Sequence, residues 1–124
     1  MDATGAYATT CRSALAAEQA SSLSKPGGWS HVDRQQVHAD WDRLYRTLAA
    51  MLIDAEASSP QIQELMAQHY AIACRFYVPS KEAYIGMSLF YAENVEMRNF
   101  HDQYGPNLVA CLAAAMQVFA DGNL

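Results

Sequence analysis

Residues 90–119 constrain the fold more than any other part of the chain. They contain an aromatic pair at Phe90-Tyr91, an aromatic stretch over residues 97–104, a break at Gly105-Pro106 and an alanine-rich segment that closes at Phe119. Because the apolar residues recur at helical spacing between the breaks, the pattern predicts three consecutive helices. Aromatic surface without an accompanying nucleophile, base or metal cluster favours a binding function over catalysis.

Two further helices are predicted upstream of this region, and the first of the three just described begins before it. Apolar residues at helical spacing predict a helix over about residues 31–54, with Ser30 as its N-cap. Pro60 begins the next helix, and Ser80 caps a third over about residues 81–93. This third helix is apolar nearly all round, so we expect it either to be buried or to face both a core and a cavity. No segment alternates with a period of two, and the predicted fold class is therefore all-α.

Composition limits the classes of function. The chain has 124 residues, enough for one domain with its own core, and its net charge is −5. An acidic chain of this kind lacks the positive field that autonomous nucleic-acid binding requires. No apolar run reaches the roughly 20 residues of a membrane span. Three widely spaced cysteines, Cys11, Cys74 and Cys111, indicate free thiols in a cytoplasmic protein.

Residues 1–28 differ from the rest of the chain. Their apolar stripe is narrow, and Lys25-Pro26-Gly27-Gly28 separates it from the long helix. A short amphipathic helix is marginal unless another surface packs on it. We interpret residues 1–28 as a mobile arm or a conditionally ordered helix and residues 29–124 as the main domain. A permanently docked first helix is an equally good interpretation.

Several motifs together resemble one known family. They are Trp29-Ser-His-Val-Asp, the long helix that follows, the Ser59-Pro60 helix start, Phe90-Tyr91, and Tyr104-Gly-Pro-Asn-Leu leading into Ala-Met-Gln-Val-Phe-Ala. Over about residues 29–120 the chain resembles the TipA-S-type antibiotic-recognition domain, the effector module of a group of MerR-family transcriptional regulators. Its alanine-rich character is similar to the SkgA kind. Asn107 stands where the family usually has glycine, and asparagine also tolerates unusual backbone angles.

This resemblance implies a globin-like helical bundle around a deep cleft. The cleft binds bulky, largely apolar antibiotics such as thiopeptides, and the first helices become ordered when the ligand arrives. In full regulators a winged helix-turn-helix domain binds DNA and a coiled coil makes the dimer. Neither pattern occurs here, so we expect no direct nucleic-acid binding and a dimer only in the full-length regulator. The best-known members trap thiopeptides through a cysteine at the position of Gly86, so reversible binding without a cofactor is expected here.

Nine residues are candidate ligand contacts because they offer flat apolar surface with a few polar tips, as an apolar drug-sized ligand requires. They are Trp29, Trp41, Tyr45, Tyr84, Met87, Tyr91, Phe100, His101 and Tyr104. The alternative is that these side chains fill the core. Trp41 lies on the apolar stripe of its helix, where a core role is more common, and Trp29 is a candidate lid residue.

The histidines and the carboxylates near them give little support for a metal site or for catalysis. His31, His38 and Asp42 share a helix face, but histidines two turns apart do not clamp one ion well, so no metal site is expected. His101 and Asp102 are adjacent and point apart on a helix, which makes them a poor catalytic dyad. We therefore expect no enzyme. A helical protein-interaction domain is the main alternative, and a small helical enzyme is the weaker one.

Overall fold

The computed structural model describes residues 5–51 and 55–124. These residues form six helices and no strand, which confirms the all-α fold class. The helices are α1 (Gly5–Leu23), α2 (Arg34–Met51), α3 (Pro60–Ala73), α4 (Lys81–Glu93), α5 (Val95–Asp102) and α6 (Leu108–Asn123). No helix in these two ranges has both the length and the hydrophobicity to cross a membrane.

Local sequence signals account for the starts of three helices, α3, α4 and α6. Pro60 is the first residue of α3, where its missing N–H removes no helical hydrogen bond. The Ser80 hydroxyl accepts a hydrogen bond from the Ala83 N–H at 3.1 Å and caps α4. Asn107 precedes α6 with a φ of 63°, a left-handed conformation that asparagine tolerates better than most residues.

The start of α2 differs from the prediction. The helix begins at Arg34, and Ser30 lies in the turn before it. The reason is that the Asp33 carboxylate accepts a hydrogen bond from the Gln36 N–H at 3.1 Å, which makes Asp33 the N-cap. The predicted end of this helix at Asp54 lies outside the described residues.

Helix α4 is the centre of the bundle, with α1 on one side and α6 on another. Its predicted burial is confirmed, since Ala83, Tyr84 and Ile85 are each fully inaccessible to solvent. Side chains from α2, α3 and α6 complete the same core. The helix that carries the sequence's aromatic motif is therefore the one around which the others assemble.

A glycine sets the distance between α1 and α4. A Cβ atom added at Gly86 would lie 2.2 Å from the carbonyl oxygen of Cys11, far inside van der Waals contact. Two polar contacts also join the helices: Arg12 forms a salt bridge with Glu93, and the Glu18 carboxylate accepts a hydrogen bond from the Ser80 N–H at 3.0 Å. In this structure α1 is a docked helix, and its ordering by a ligand stays a prediction.

Candidate functional site

A cavity of about 210 Å³ is lined by residues of the helices α1 to α5 and of the α1–α2 and α3–α4 connections. Its lining is almost wholly apolar or aromatic, and none of the described residues that form it carries a charge. They are Leu15, Gln19, Trp29, Trp41, Ala73, Phe76, Tyr77, Pro79, Met87, Phe90, Tyr91 and Met97. Aromatic walls of this kind suit an uncharged ligand with flat apolar surface.

Three aromatic rings form one continuous wall. Trp41 and Phe76 stack with an interplanar angle of 14° and a centroid distance of 6.0 Å. Trp29 meets Phe76 edge to face at 5.1 Å. Offset-stacked and edge-to-face pairs are the favoured geometries of aromatic rings, so the three side chains hold one another in place.

Hydrogen bonds fix the connection that carries Trp29. The indole Nε1–H of Trp29 donates to the Ser22 hydroxyl at 2.8 Å. His31 Nε2 lies 3.0 Å from the carbonyl oxygen of Arg75 and 3.2 Å from that of Phe76. Because carbonyl oxygens only accept, this nitrogen carries the proton. The α1–α2 connection is thereby joined to the α3–α4 connection that carries Phe76.

The α3–α4 connection is anchored at its other end by Tyr70. The phenol O–H donates to the carbonyl oxygen of Pro79 at 2.6 Å, immediately before the Ser80 cap of α4. Partial burial raises the pKa of Tyr70 to about 12, so the hydroxyl keeps its proton and remains a donor at neutral pH. Both ends of the connection that carries Phe76 and Tyr77 are thus held by side-chain hydrogen bonds.

A buried polar cluster lies behind the aromatic wall. His69 is completely buried, with Nε2 3.1 Å from the Tyr45 hydroxyl and Nδ1 2.9 Å from the Tyr84 hydroxyl. A neutral imidazole has one N–H, so it donates to one hydroxyl and accepts from the other. The Trp41 ring lies 5.8 Å from the His69 ring, which connects the cluster to the cavity.

His101 closes the same cluster on the α5 side. Its Nδ1 donates to the carbonyl oxygen of Met97 at 2.7 Å, and its ring lies 4.5 Å from Tyr91 and 4.9 Å from Tyr45. Burial lowers the pKa of His101. The two buried histidines are therefore structural groups held neutral, with their ring nitrogens used to satisfy neighbouring polar groups.

The His69 environment predicts a pH dependence of stability. Burial lowers its pKa from an ordinary 6.5 to about 3 in the folded protein, with a smaller contribution from nearby His101. Between these values the unfolded state binds more protons, so stability is complete above pH 6.5 and is lost as the pH falls toward 3. We expect the free energy of unfolding to decrease by about 2 kcal/mol between pH 7 and pH 5, as measured by urea titration. A flat profile across this range would contradict the prediction.

The structure brings four of the nine candidate residues together. Trp29, Trp41, Met87 and Tyr91 all line the cavity. Tyr45, Tyr84 and His101 lie in the core behind it, with exposed fractions of 2% or less. These three side chains do not line the cavity but pack behind the residues that do.

The remaining two candidates lie apart from the cavity. Phe100 is 45% exposed on α5, and its ring packs against Tyr104 at 5.9 Å. The Tyr104 hydroxyl donates to the Asp42 carboxylate at 2.7 Å, beside a shallow polar depression that also includes Arg46. Phe100 faces solvent on α5, and Tyr104 lies in the turn after α5 beside Asp42 of α2, so neither takes part in the aromatic wall. Whether Phe100 contacts a ligand, as the sequence predicts, is decided by the Phe100→Ala variant described below, and the contact at Tyr104 stays a prediction.

Several cavity residues were not expected from the sequence. Leu15 and Gln19 come from α1, and Phe76 and Tyr77 come from the α3–α4 connection. The Phe76-Tyr77 pair, separated from Pro79 by one residue, was an available signal, since aromatic residues in a connection have no helical core face to fill. The contribution of α1 had no such signal, because it depends on how closely α1 approaches α4.

A larger recess on the outer face of α2 and α3, about 540 Å³, is a weaker candidate. Its charged side chains are already paired with one another, since Asp40 forms salt bridges with Arg43 at 3.1 Å and with Arg75 at 2.6 Å. These contacts with Arg75, Gln36 and Arg43 hold the pKa of Asp40 below its ordinary value. An open polar groove with neutralised charges offers little to an apolar ligand. Among the described residues there is also no group of three or more side chains suited to a metal ion.

Fold and cavity together define a small helical domain built around an aromatic recess. The sequence profile of the TipAS antibiotic-recognition domain matches residues 8–119, which include all six helices in whole or in large part. The chain belongs to this family of antibiotic-recognition domains. No curated protein and no solved structure matches it.

Proposed function

We propose that this protein is the effector-binding domain of a MerR-type transcriptional regulator and that it binds apolar, antibiotic-like small molecules reversibly in the aromatic cavity. The observation that carries the proposal is the cavity itself, an uncharged aromatic recess within a domain of the antibiotic-recognition family. Contact with DNA and dimer formation belong to other parts of such a regulator, and its place of action is the cytoplasm.

The cavity walls support recognition of apolar ligands. Trp29, Trp41 and Phe76 present ring faces and edges, and Met87 and Met97 add flexible, polarizable side chains. Methionine adapts its shape to different partners, which is a property of surfaces that bind more than one ligand. Rigid rings beside flexible thioethers suit recognition by shape and apolar contact rather than by one fixed set of hydrogen bonds.

Reversible binding is supported by the positions of the thiols. No cysteine occurs among the described residues that line the cavity, and Cys11 is fully buried against α4. Gly86, where the family resemblance places the trapping cysteine of the best-known members, lies in the α1–α4 contact and does not line the cavity. A side chain at that position would collide with α1 before it could meet a ligand.

Helix α1 is the part of the domain best placed to report binding. Leu15 and Gln19 form one wall of the cavity, while the rest of the wall comes from the main bundle. A ligand that contacts both surfaces would bind more tightly when α1 is docked than when it is not. It would therefore stabilise the docked arrangement of α1. The position of α1 would then signal occupancy to the DNA-binding part of the regulator.

Replacement of Phe76 tests the location of the site. N-phenyl-1-naphthylamine, a neutral aromatic probe whose fluorescence rises in apolar surroundings, should bind the wild-type protein saturably. Phe76→Ala should weaken this binding at least about tenfold, because it removes one aromatic wall. The readout is a fluorescence titration, with circular dichroism used to show that the variant is folded.

Phe100→Ala is the matched control, because Phe100 is an aromatic residue of the same size that lies outside the cavity. It should bind the probe as the wild type does. Equal affinities of the Phe76→Ala protein and the wild type would show that this cavity is not the ligand site. If Phe100→Ala loses more affinity for the probe than Phe76→Ala does, the ligand site lies at α5 instead.

A further inference from the structure

Two side chains that line the cavity each have a buried polar atom without a hydrogen-bond partner. Within the described residues, three buried side-chain polar atoms are unpaired: Trp41 Nε1, Tyr77 Oη and Ser59 Oγ. The first two belong to side chains that line the cavity, whereas Ser59 lies at the start of α3. Unpaired buried polar groups are rare in folded proteins because each forfeits the hydrogen bonds it made with water. Two in the walls of one cavity therefore call for a functional explanation.

The other indole in the wall shows the contrast. Trp29 donates its Nε1–H to Ser22 at 2.8 Å, while Trp41 in the same wall has no acceptor. The missing partner of Trp41 must be an acceptor, since an indole N–H can only donate. Tyr77 can donate or accept, and burial raises its pKa to about 12, so its hydroxyl stays neutral at physiological pH.

The size and charge of the cavity limit the ligand further. Its volume of about 210 Å³ exceeds the roughly 150 Å³ of an apolar protein cavity that holds benzene. It is smaller than the roughly 300–1,000 Å³ typical of drug-sized sites. No charged side chain among the described residues lines it, so an ionised group would be desolvated there without a counter-charge. The space suits one or two fused rings without a charge.

We propose that the cavity selects a neutral aromatic ring system of one or two fused rings that carries a hydrogen-bond acceptor, such as a carbonyl oxygen, for the Trp41 indole N–H. The Tyr77 hydroxyl provides a second polar contact at the same ligand. The ring system is either the whole ligand or the buried part of a larger one whose remainder crosses the rim at Phe90. This inference rests on the proposed function and adds the chemical class of the ligand.

The unpaired atoms also suggest how the site responds to a ligand. Both atoms are covered by protein, so side chains must move before an acceptor can reach them. Met87 and Met97 line the same cavity and have the conformational freedom to do so. A ligand that supplies the missing acceptor removes the cost of the unpaired groups, whereas a purely apolar one leaves it in place.

Three naphthalenes of closely similar shape separate these possibilities. The probes are 2-acetylnaphthalene, its isostere 2-isopropenylnaphthalene, which has a CH₂ in place of the carbonyl oxygen, and the anion 2-naphthoate. Hydrophobic burial alone favours the alkene, because it is the less polar molecule. We expect the opposite order in calorimetric titrations of the wild-type protein, with the ketone about five- to tenfold tighter than the alkene. The anion should bind most weakly.

Variants assign this preference to particular atoms. Trp41→Phe should remove the preference for the ketone, and Tyr77→Phe should reduce it. Trp29→Phe is the matched control: it removes a comparable ring from the same wall, but its N–H is already paired with Ser22. Trp29→Phe should weaken ketone and alkene equally and keep their ratio.

The outcomes distinguish this inference from the proposed function. If the alkene binds the wild type as tightly as the ketone, or if the preference survives in both Trp41→Phe and Tyr77→Phe, the inference is wrong while the apolar site stands. If N-phenyl-1-naphthylamine binds but none of the three naphthalenes does, the inference again fails alone. If neither that probe nor any naphthalene binds, the cavity is not a ligand site and both are overturned.

Discussion

The variant His69→Leu is expected to lose about 2–5 kcal/mol of the free energy of unfolding. Leucine fills much of the space of the imidazole but cannot pair with the hydroxyls of Tyr45 and Tyr84, which are 2% and 0% exposed. Each buried polar group left without a partner costs about 1–3 kcal/mol. Urea unfolding at pH 7, followed by far-ultraviolet circular dichroism, measures the loss.

Two further variants make this result specific. His38→Leu is the matched control, because His38 is exposed on α2, and it should change stability by no more than about 0.5 kcal/mol. Adding Tyr45→Phe and Tyr84→Phe to His69→Leu should recover much of the loss, since all three polar partners are then absent. If His69→Leu proves as stable as His38→Leu, the hydrogen-bonded cluster does not stabilise the core.

The variant Gly86→Ala should displace α1 from α4. The added methyl group would lie 2.2 Å from the carbonyl oxygen of Cys11, and a backbone atom can move away only if its helix moves. Overpacking costs about 1–3 kcal/mol. This exceeds the roughly 0.5–1 kcal/mol that alanine gains over glycine within a helix. Hydrogen exchange of the amides of Gly5–Leu23 should therefore become at least about tenfold faster, and probe binding should weaken as Leu15 leaves the cavity wall.

Gly122→Ala is the control for this prediction. Gly122 also lies in a helix, α6, but no atom lies within 4 Å of the position its Cβ would take. This substitution should be neutral or should stabilise the protein by up to about 1 kcal/mol. Unchanged protection of α1 in Gly86→Ala would mean that α1 is not held against α4 at this point. The same result would weaken the proposal that α1 reports binding.

The helices of the main domain were predictable because their signals are local. Pro60 and Ser80 mark helix starts through backbone chemistry that acts within one turn, and Asn107 tolerates a left-handed conformation without help from distant residues. The predicted start of α2 was wrong, because its N-cap is Asp33 and not Ser30, which lies three residues earlier. Ser30 and Asp33 both suit an N-cap, and the folded connection, tied to Arg75 through His31, favours Asp33.

Only some residues of the candidate site could be predicted, because helical periodicity does not show whether an aromatic side chain lies in the core or lines a cavity. Tyr84 and Met87 are one turn apart on α4, yet Tyr84 faces His69 in the core and Met87 lines the cavity. Likewise, Phe100 belongs to the same aromatic stretch as His101, but one side chain is exposed and the other is buried. Which neighbour a side chain meets depends on the packing of whole helices.

The amino-acid sequence by itself determined the all-α class, the order of the helices and the family, since these follow from periodicity, capping residues and motifs that act within a few residues. The tertiary structure decided where the cavity lies. Its walls combine residues from α1 and α2 with residues from the α3–α4 connection and α4, which lie far along the chain from the first two helices. Their meeting depends on the close approach of α1 to Gly86 and on hydrogen bonds between connections, which are long-range contacts that no local pattern encodes.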